Sequence, residues 1–155
     1  AHQDDASKPI GSRAKELKSR EEALGFDRRD HYRSFGPQVE ATKRKLLSFL
    51  ISAKQEGKRV VGYGAPAKGN TLLNYCGVRT DFIDYTVDRS PHKQGHLLPG
   101  VRIPIYGPER IRETRPDYLL ILPWNIREEI MQQMSHIREW GGKFVVPIPE
   151  VKVYA

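Results

Sequence analysis

Cysteine is almost missing from this chain. Cys76 is the single one in 155 residues, which excludes an internal disulfide framework and a thiolate zinc cage. Long apolar runs are missing too, and none approaches the roughly 20 residues a membrane-spanning helix needs. No charged-then-apolar leader resembles a signal peptide, so a cytoplasmic protein is expected. The chain starts at Ala1, in the polar stretch Ala1-His2-Gln3-Asp4-Asp5, rather than at Met; this reads as a processed start or an excised piece. There is no internal repeat and no low-complexity tract. Nor is there a block of like charge. The net +7 is spread along the chain and interleaved with acids, as in Lys15-Glu16 and Arg127-Glu128. Without a nucleic-acid motif beside it, this charge reads as a solvated basic surface or as attraction for a small anionic ligand.

What is present fits one globular domain with a polar surface: 38% of residues are hydrophobic and 29% charged. Residues 1 to 22 hold few aliphatics among many charges and are expected to be partly frayed. Ser12 is placed to cap a charged helix ending at Leu24-Gly25, and a linker with Gly25, Gly36 and Pro37 follows. Val39, Leu46, Leu47, Leu50 and Ile51 then share one helical face up to Gly57, and that helix should pack on the domain after it.

From Lys58 onward, strands and helices alternate. Strands are predicted at 59–63, 82–87, 101–105, 118–122 and 144–147, with helices through Leu72-Leu73, from Pro108 to Arg115, and from Asn125 to Gly141. Asn125-Ile126-Arg127-Glu128 has the form of a capping box. The expectation is an α/β fold: a Rossmann-like three-layer sandwich with a mainly parallel sheet of about five strands, preceded by N-terminal helices. The boundary is drawn at 57/58.

The chemistry concentrates at the carboxyl ends of these strands. Gly62-x-Gly64-x-x-Ala67 fits the dinucleotide fingerprint, with a strand before it and a helix after it. In that motif the first glycine permits the tight turn and the second lets a phosphate approach. The small third residue lets the helix sit close to the strand. Pro66 suits the first helical position, and Lys68 adds a cation at a helix N-terminus that already favours anions. Asp88 ends the second strand, where such folds often hold a ribose hydroxyl. In the loop that follows, Arg89, His92 and Lys93 are either phosphate contacts or solvated cations. Trp124 either stacks on a base or sugar or packs inward, and Asn125 either binds ligand or only caps its helix. No serine, cysteine or second carboxylate completes a catalytic unit, so no catalytic and no metal-ligating residue is assigned. Cys76 sits in an apolar helical stretch and is expected to be buried.

Several long motifs occur together and in order: Gly62-Tyr63-Gly64-Ala65-Pro66-Ala67-Lys68-Gly69-Asn70-Thr71-Leu72-Leu73-Asn74, Val87-Asp88-Arg89-Ser90-Pro91-His92-Lys93-Gln94-Gly95, Leu98-Pro99-Gly100, Pro116-Asp117-Tyr118, Leu122-Pro123-Trp124-Asn125 and Phe144-Val145-Val146-Pro147-Ile148-Pro149. Together they resemble the C-terminal domain of S-adenosylmethionine-dependent sugar C-methyltransferases, bacterial enzymes that add a methyl branch to TDP-deoxysugars. The resemblance implies a parent with a cysteine-rich zinc module, a central methyltransferase domain and this Rossmann-like domain, which helps hold the nucleotide-sugar substrate. The family reaction deprotonates the carbon beside a 4-keto group and methylates the resulting enolate.

This chain carries neither the zinc cysteines nor the central domain. It is therefore read as an isolated C-terminal piece without activity of its own, with residues 1–57 as connector. The implied substrate contacts are Gly62, Gly64, Ala65, Lys68, Gly69, Asn70, Asp88, His92, Lys93, Trp124 and Asn125. S-adenosylmethionine is expected in the parent's missing domain and no cofactor in this chain. A TDP-sugar and the upstream methyltransferase domain are the expected partners, with neither nucleic acid nor membrane among them. A stand-alone NAD- or CoA-binding module is the rival reading, resting on the glycine fingerprint and Asp88.

Overall fold

A computed structural model of the chain describes residues 11–155, which fall into two compact units, one ending at Val39 and one running Glu40–Ala155. The reading of residues 1 to 22 as frayed lies partly outside the described residues. From Ser12 the chain is helical: α1 spans Ser12–Ala23 and buries none of its residues. Gly11, not Ser12, is the N-cap, and no side chain caps the helix. The exit is as expected. Gly25 is left-handed at φ 75°, and the Gly25 and Phe26 N–H groups return to Glu22 and Glu21 oxygens. The expected linker is mostly helix. α2 spans Arg29–Arg33, and α3 runs Phe35–Gln55 with Gly36 and Pro37 in its first turn, where proline forfeits no helical bond.

In the second unit, β1 (Val60–Tyr63) leads to α4 (Ala67–Cys76), and β2 (Thr86–Val87) and β3 (Ile105–Tyr106) follow. Then come α5 (Arg110–Thr114), β4 (Tyr118–Ile121), α6 (Arg127–Gln133), β5 (Lys143–Val146) and β6 (Lys152–Tyr154). The strands form one six-stranded sheet in the order β3-β2-β1-β4-β5-β6. All neighbours are parallel except β5 and β6. The sheet thus has one strand beyond the five expected; β6 is only three residues long and antiparallel, too short for alternation to announce it. β2 is shorter than expected because Phe82 and Ile83 N–H groups both turn back to the Arg79 oxygen. β3 starts only at Ile105, after Pro104 makes an isolated antiparallel bridge with Leu97.

Strand residues alternate between two cores, as a sheet covered on both faces requires. Val60, Leu120, Leu122 and Val145 face one cluster, together with Leu46, Leu50 and Ala53 of α3 and Leu72, Leu73 and Cys76 of α4. Val61, Tyr63, Leu119, Ile121, Phe144 and Val146 face the other, with Ile111 of α5, Ile130 of α6 and Met134 just after that helix. Helices on both faces of a mainly parallel sheet make the expected three-layer sandwich. The apolar face of α3 packs into it as expected, although Ile51 stays 45% exposed. Cys76 is buried, and burial pushes its thiol pKa up. No helix among the described residues is long and apolar enough to cross a membrane.

The chain runs outward from β1 to β2 and β3 on one side, and from β4 to β5 and β6 on the other. The order reverses between β1 and β4, whose registers align from Val60↔Tyr118 to Tyr63↔Ile121. In open α/β sheets that switch point opens a crevice at the carboxyl ends of the strands, where ligands bind.

Candidate functional site

The turn after β1 is built by close packing. A Cβ on Gly62 would lie 2.7 Å from Thr86 Oγ1, and Thr86 donates that hydroxyl to the Gly64 oxygen at 2.8 Å. Gly64 is left-handed at φ 86°, and a Cβ there would meet Pro123 Cδ at 2.7 Å. Pro66 is the N-cap of α4 rather than its first helical residue, and its oxygen accepts the Asn70 N–H at 3.0 Å. The helix therefore starts one residue late, and Ala67 is exposed. The close contact expected at Ala67 is made by buried Gly69, where a Cβ would lie 2.7 Å from Leu122 Cβ on β4. Gly62 and Gly69 thus sit in packing contacts between elements.

Two polar clusters stand at the switch point. In the first, Asp88 Oδ2 accepts the Ala65 N–H at 2.8 Å and the Lys93 ammonium at 3.1 Å, and Oδ1 accepts the Ser90 N–H at 2.9 Å. Lys93 also donates to the Ala65 oxygen at 3.2 Å. Asp88 thereby clips its loop onto the glycine turn. Burial pushes the Asp88 carboxyl up; the Ser90 and Ala65 N–H groups and the Lys93 ammonium outweigh it and hold the pKa below its ordinary value. A group with a depressed folded-state pKa stabilises the fold above the unfolded value of roughly 3.9, and the contribution disappears as pH falls through the folded one. Asp88→Asn is expected to flatten the acid limb of stability below about pH 4 in thermal melts. Asp117 and Glu150, also lowered, would keep part of the slope.

In the second cluster, Lys68 of α4 reaches across to the loop after β4. Its ammonium donates to Asn125 Oδ1 and lies 4.7 Å from the centre of the Trp124 ring. The expected capping box does not form. Trp124–Ile126 is a 3-10 turn, α6 starts at Arg127, and its N-cap is Ile126 with no side-chain cap. Asn125 is thereby left facing Lys68, Ile126 is 43% exposed, and Glu128 pairs with Arg127. No side chain caps α4 either, so its first turn presents N–H groups next to a lysine.

The remaining candidates lie apart. Asn70 borders an open hollow of about 520 Å³ with Asn74, Pro99 and Gly100. Asn74 donates to the Asn70 and Pro99 oxygens at 2.9 and 3.0 Å, which ties the Leu98-Pro99-Gly100 loop to α4. His92 is exposed and has no side-chain partner among the described residues. Sequence reasoning missed Pro123 as the cover on Gly64 and Thr86 as the strut beneath the turn. It also missed a crevice of about 170 Å³ towards α6, with Tyr63, Arg89, Glu129 and Gln133 in its lining. A threonine two residues before Asp88 was the one available signal. No group of metal-binding side chains gathers among the described residues.

A switch point with a glycine turn, in this strand order, defines a Rossmann-like class of fold. The chain belongs to a particular family within it: the model described as the C-methyltransferase C-terminal domain matches residues 1–149. Over 138 residues the chain is 39% identical to the C-methyltransferase NovU of Streptomyces niveus, covering 89% of this chain and 33% of that one. The chain therefore spans about a third of the length of this curated relative. Among solved structures, UDP-D-quinovosamine 4-dehydrogenase from Vibrio fischeri aligns with a TM-score of 0.45 and 19% identity, covering 63% of this chain and 93% of that one.

Proposed function

We propose that this chain is the nucleotide-sugar-binding end of a sugar C-methyltransferase, with TDP-sugars as its substrate class. The observation that carries the reading is the meeting of Lys68, Trp124 and Asn125 beside the uncapped first turn of α4. Ammonium and helix N–H groups suit a diphosphate, the indole suits the flat face of a base or sugar, and the Asn125 amide supplies both a donor and an acceptor. The methyl donor, S-adenosylmethionine, belongs to the preceding part of the parent protein, and the isolated chain transfers no methyl group. Residues 1–57 form the connector to that part.

The turn itself argues against the stand-alone NAD or CoA module. In the dinucleotide mode the pyrophosphate rests on the second glycine and the N–H groups after it. Here Pro123 lies against Gly64, and Asp88 holds the Ala65 N–H. The same carboxylate has three partners already, which leaves little for a ribose hydroxyl. The phosphate grip therefore shifts to residues 67–69 and the Lys68 ammonium.

Titration calorimetry of the 155-residue chain tests this. TDP should bind weakly and saturably, while S-adenosylmethionine and NAD should give no saturable heat. Tight binding of the methyl donor with no effect of TDP would overturn the reading.

A further inference from the structure

A cavity of about 240 Å³ lies far from the switch point, lined by Arg112, Arg115, Glu139 and Trp140. Arg115 immediately precedes Pro116-Asp117 and β4, and Trp140 comes just before β5. The Lys143 N–H donates to the Asp117 oxygen, so these two strand starts are adjacent. The cavity thus opens at the amino edge of the sheet, a full strand length from the carboxyl-edge cluster.

Its charged side chains are exposed and, among the described residues, unpaired. Neither arginine has a side-chain ion pair or hydrogen bond among the described residues, and Glu139 lies beyond ion-pair distance of both. The Trp140 indole, by contrast, is fixed in place. Its Nε1–H donates to the Pro116 oxygen at 3.0 Å, and His136 meets it edge-on at 5.7 Å. His136 Nε2 is buried beside that indole with no partner among the described residues.

The backbone at Arg115 adds an independent observation. The left-handed exits of α1, α3, α4 and the 3-10 helix Ser135–Trp140 all use glycine: Gly25, Gly57, Gly77 and Gly141. α5 alone makes the same exit with a side-chain-bearing residue, Arg115, at φ 44°. A side chain in this region carries strain that glycine avoids, and here the side chain kept despite the strain lines the cavity.

We propose that this cavity is a second ligand site, which takes a small phosphorylated sugar. The two guanidinium groups receive the phosphate. The apolar face of the sugar ring lies on Trp140, and Glu139 accepts from its hydroxyls. Glu139 would repel a bare anion; a ligand with an anion at one end and hydroxyl donors at the other satisfies all four residues. At about 240 Å³ the hollow is below the roughly 300–1,000 Å³ of drug-sized sites and matches a monosaccharide phosphate better than a dinucleotide.

The chain has two tryptophans, so its amide–proton NMR spectrum holds two indole cross-peaks, assigned with Trp140→Phe. Glucose 1-phosphate should move the Trp140 peak saturably, and Lys68→Ala should leave that shift unchanged. Inorganic phosphate should bind about tenfold more weakly or worse, a difference of about 1.4 kcal/mol, and glucose should move neither peak. Arg115→Gly should weaken glucose 1-phosphate at least about tenfold while holding or raising the melting temperature, since glycine relieves the strained exit. The proposal is overturned if glucose 1-phosphate at about 10 mM, a concentration that detects even millimolar binding, leaves the Trp140 peak unmoved. It is equally overturned if phosphate binds as tightly as the sugar phosphate, or if stably folded Arg115→Gly binds as well as the wild type. Failure here leaves the carboxyl-edge reading standing, because TDP is read out on Trp124.

Discussion

Gly69→Leu should lose about 3 kcal/mol of folding stability or more, at the upper end of what overpacking a tight core costs. The reason is the contact between α4 and β4. A Cβ on Gly69 would stand 2.7 Å from Leu122 Cβ and 3.1 Å from Pro66 Cγ. Both Cβ positions are fixed by backbone, so no rotamer change relieves the clash; helix and strand must part. Leu122 is fully buried and belongs to the cluster that α3 and α4 share, so parting them opens the core. Gly69→Ala carries the same first atom without leucine's further carbons, and about 1 kcal/mol of helix propensity gained over glycine leaves a net loss nearer 1 kcal/mol. Urea unfolding followed by circular dichroism reads both. An alanine variant more stable than the wild type would show that α4 is not pinned to β4 at this point.

The second large effect concerns binding. Lys68→Ala should weaken TDP about 10- to 100-fold, as expected when a charge-assisted contact of roughly 1.5–3 kcal/mol disappears. Trp124→Ala should cost a comparable amount through lost stacking, typically about 1–3 kcal/mol per aromatic–base contact. Lys68→Ala should leave the melting temperature nearly unchanged, since Lys68 is only partly buried; Trp124→Ala should lower it as well, because the indole also packs against both hydrophobic clusters. Calorimetric titration with TDP separates the outcomes. Undiminished affinity in both variants would remove the cluster from the binding site.

Much of the frame was legible in the sequence because burial on both faces writes itself plainly. Tyr118-Leu119-Leu120-Ile121-Leu122 is a continuous apolar run, and only a strand covered by helices on two sides needs one. The same logic identified β1 and β5. Short edge elements write much less. β6 has three residues and β3 two, with their register set by neighbours rather than by their own pattern. The glycine turn was located correctly, yet its internal roles moved. Fingerprint spacing assigns the close packing to Ala67; because Pro66 occupies the N-cap, the helix starts late and the work falls to Gly69.

The clusters were half legible for a similar reason. The carboxyl-edge rule names the loops that meet at the switch point, and Lys68, Trp124 and Asn125 do meet there. It does not say which backbone groups the protein satisfies by itself. Asp88 looked like a ribose acceptor by its place at a strand end; its carboxylate instead closes onto Ala65, Ser90 and Lys93. Only the fold of the loop from Asp88 to Gly95 decides that, and no periodicity records it.

The central claim is that the phosphate grip lies at the first turn of α4 and the loop after β4. Amide chemical-shift mapping of the chain titrated with TDP tests it directly. The account predicts that shifts concentrate on residues 67–69 and on Trp124-Asn125, with the Trp124 indole among the largest. Shifts confined to the crevice by Arg89 and Gln133, or to the amino edge by Trp140, would contradict it.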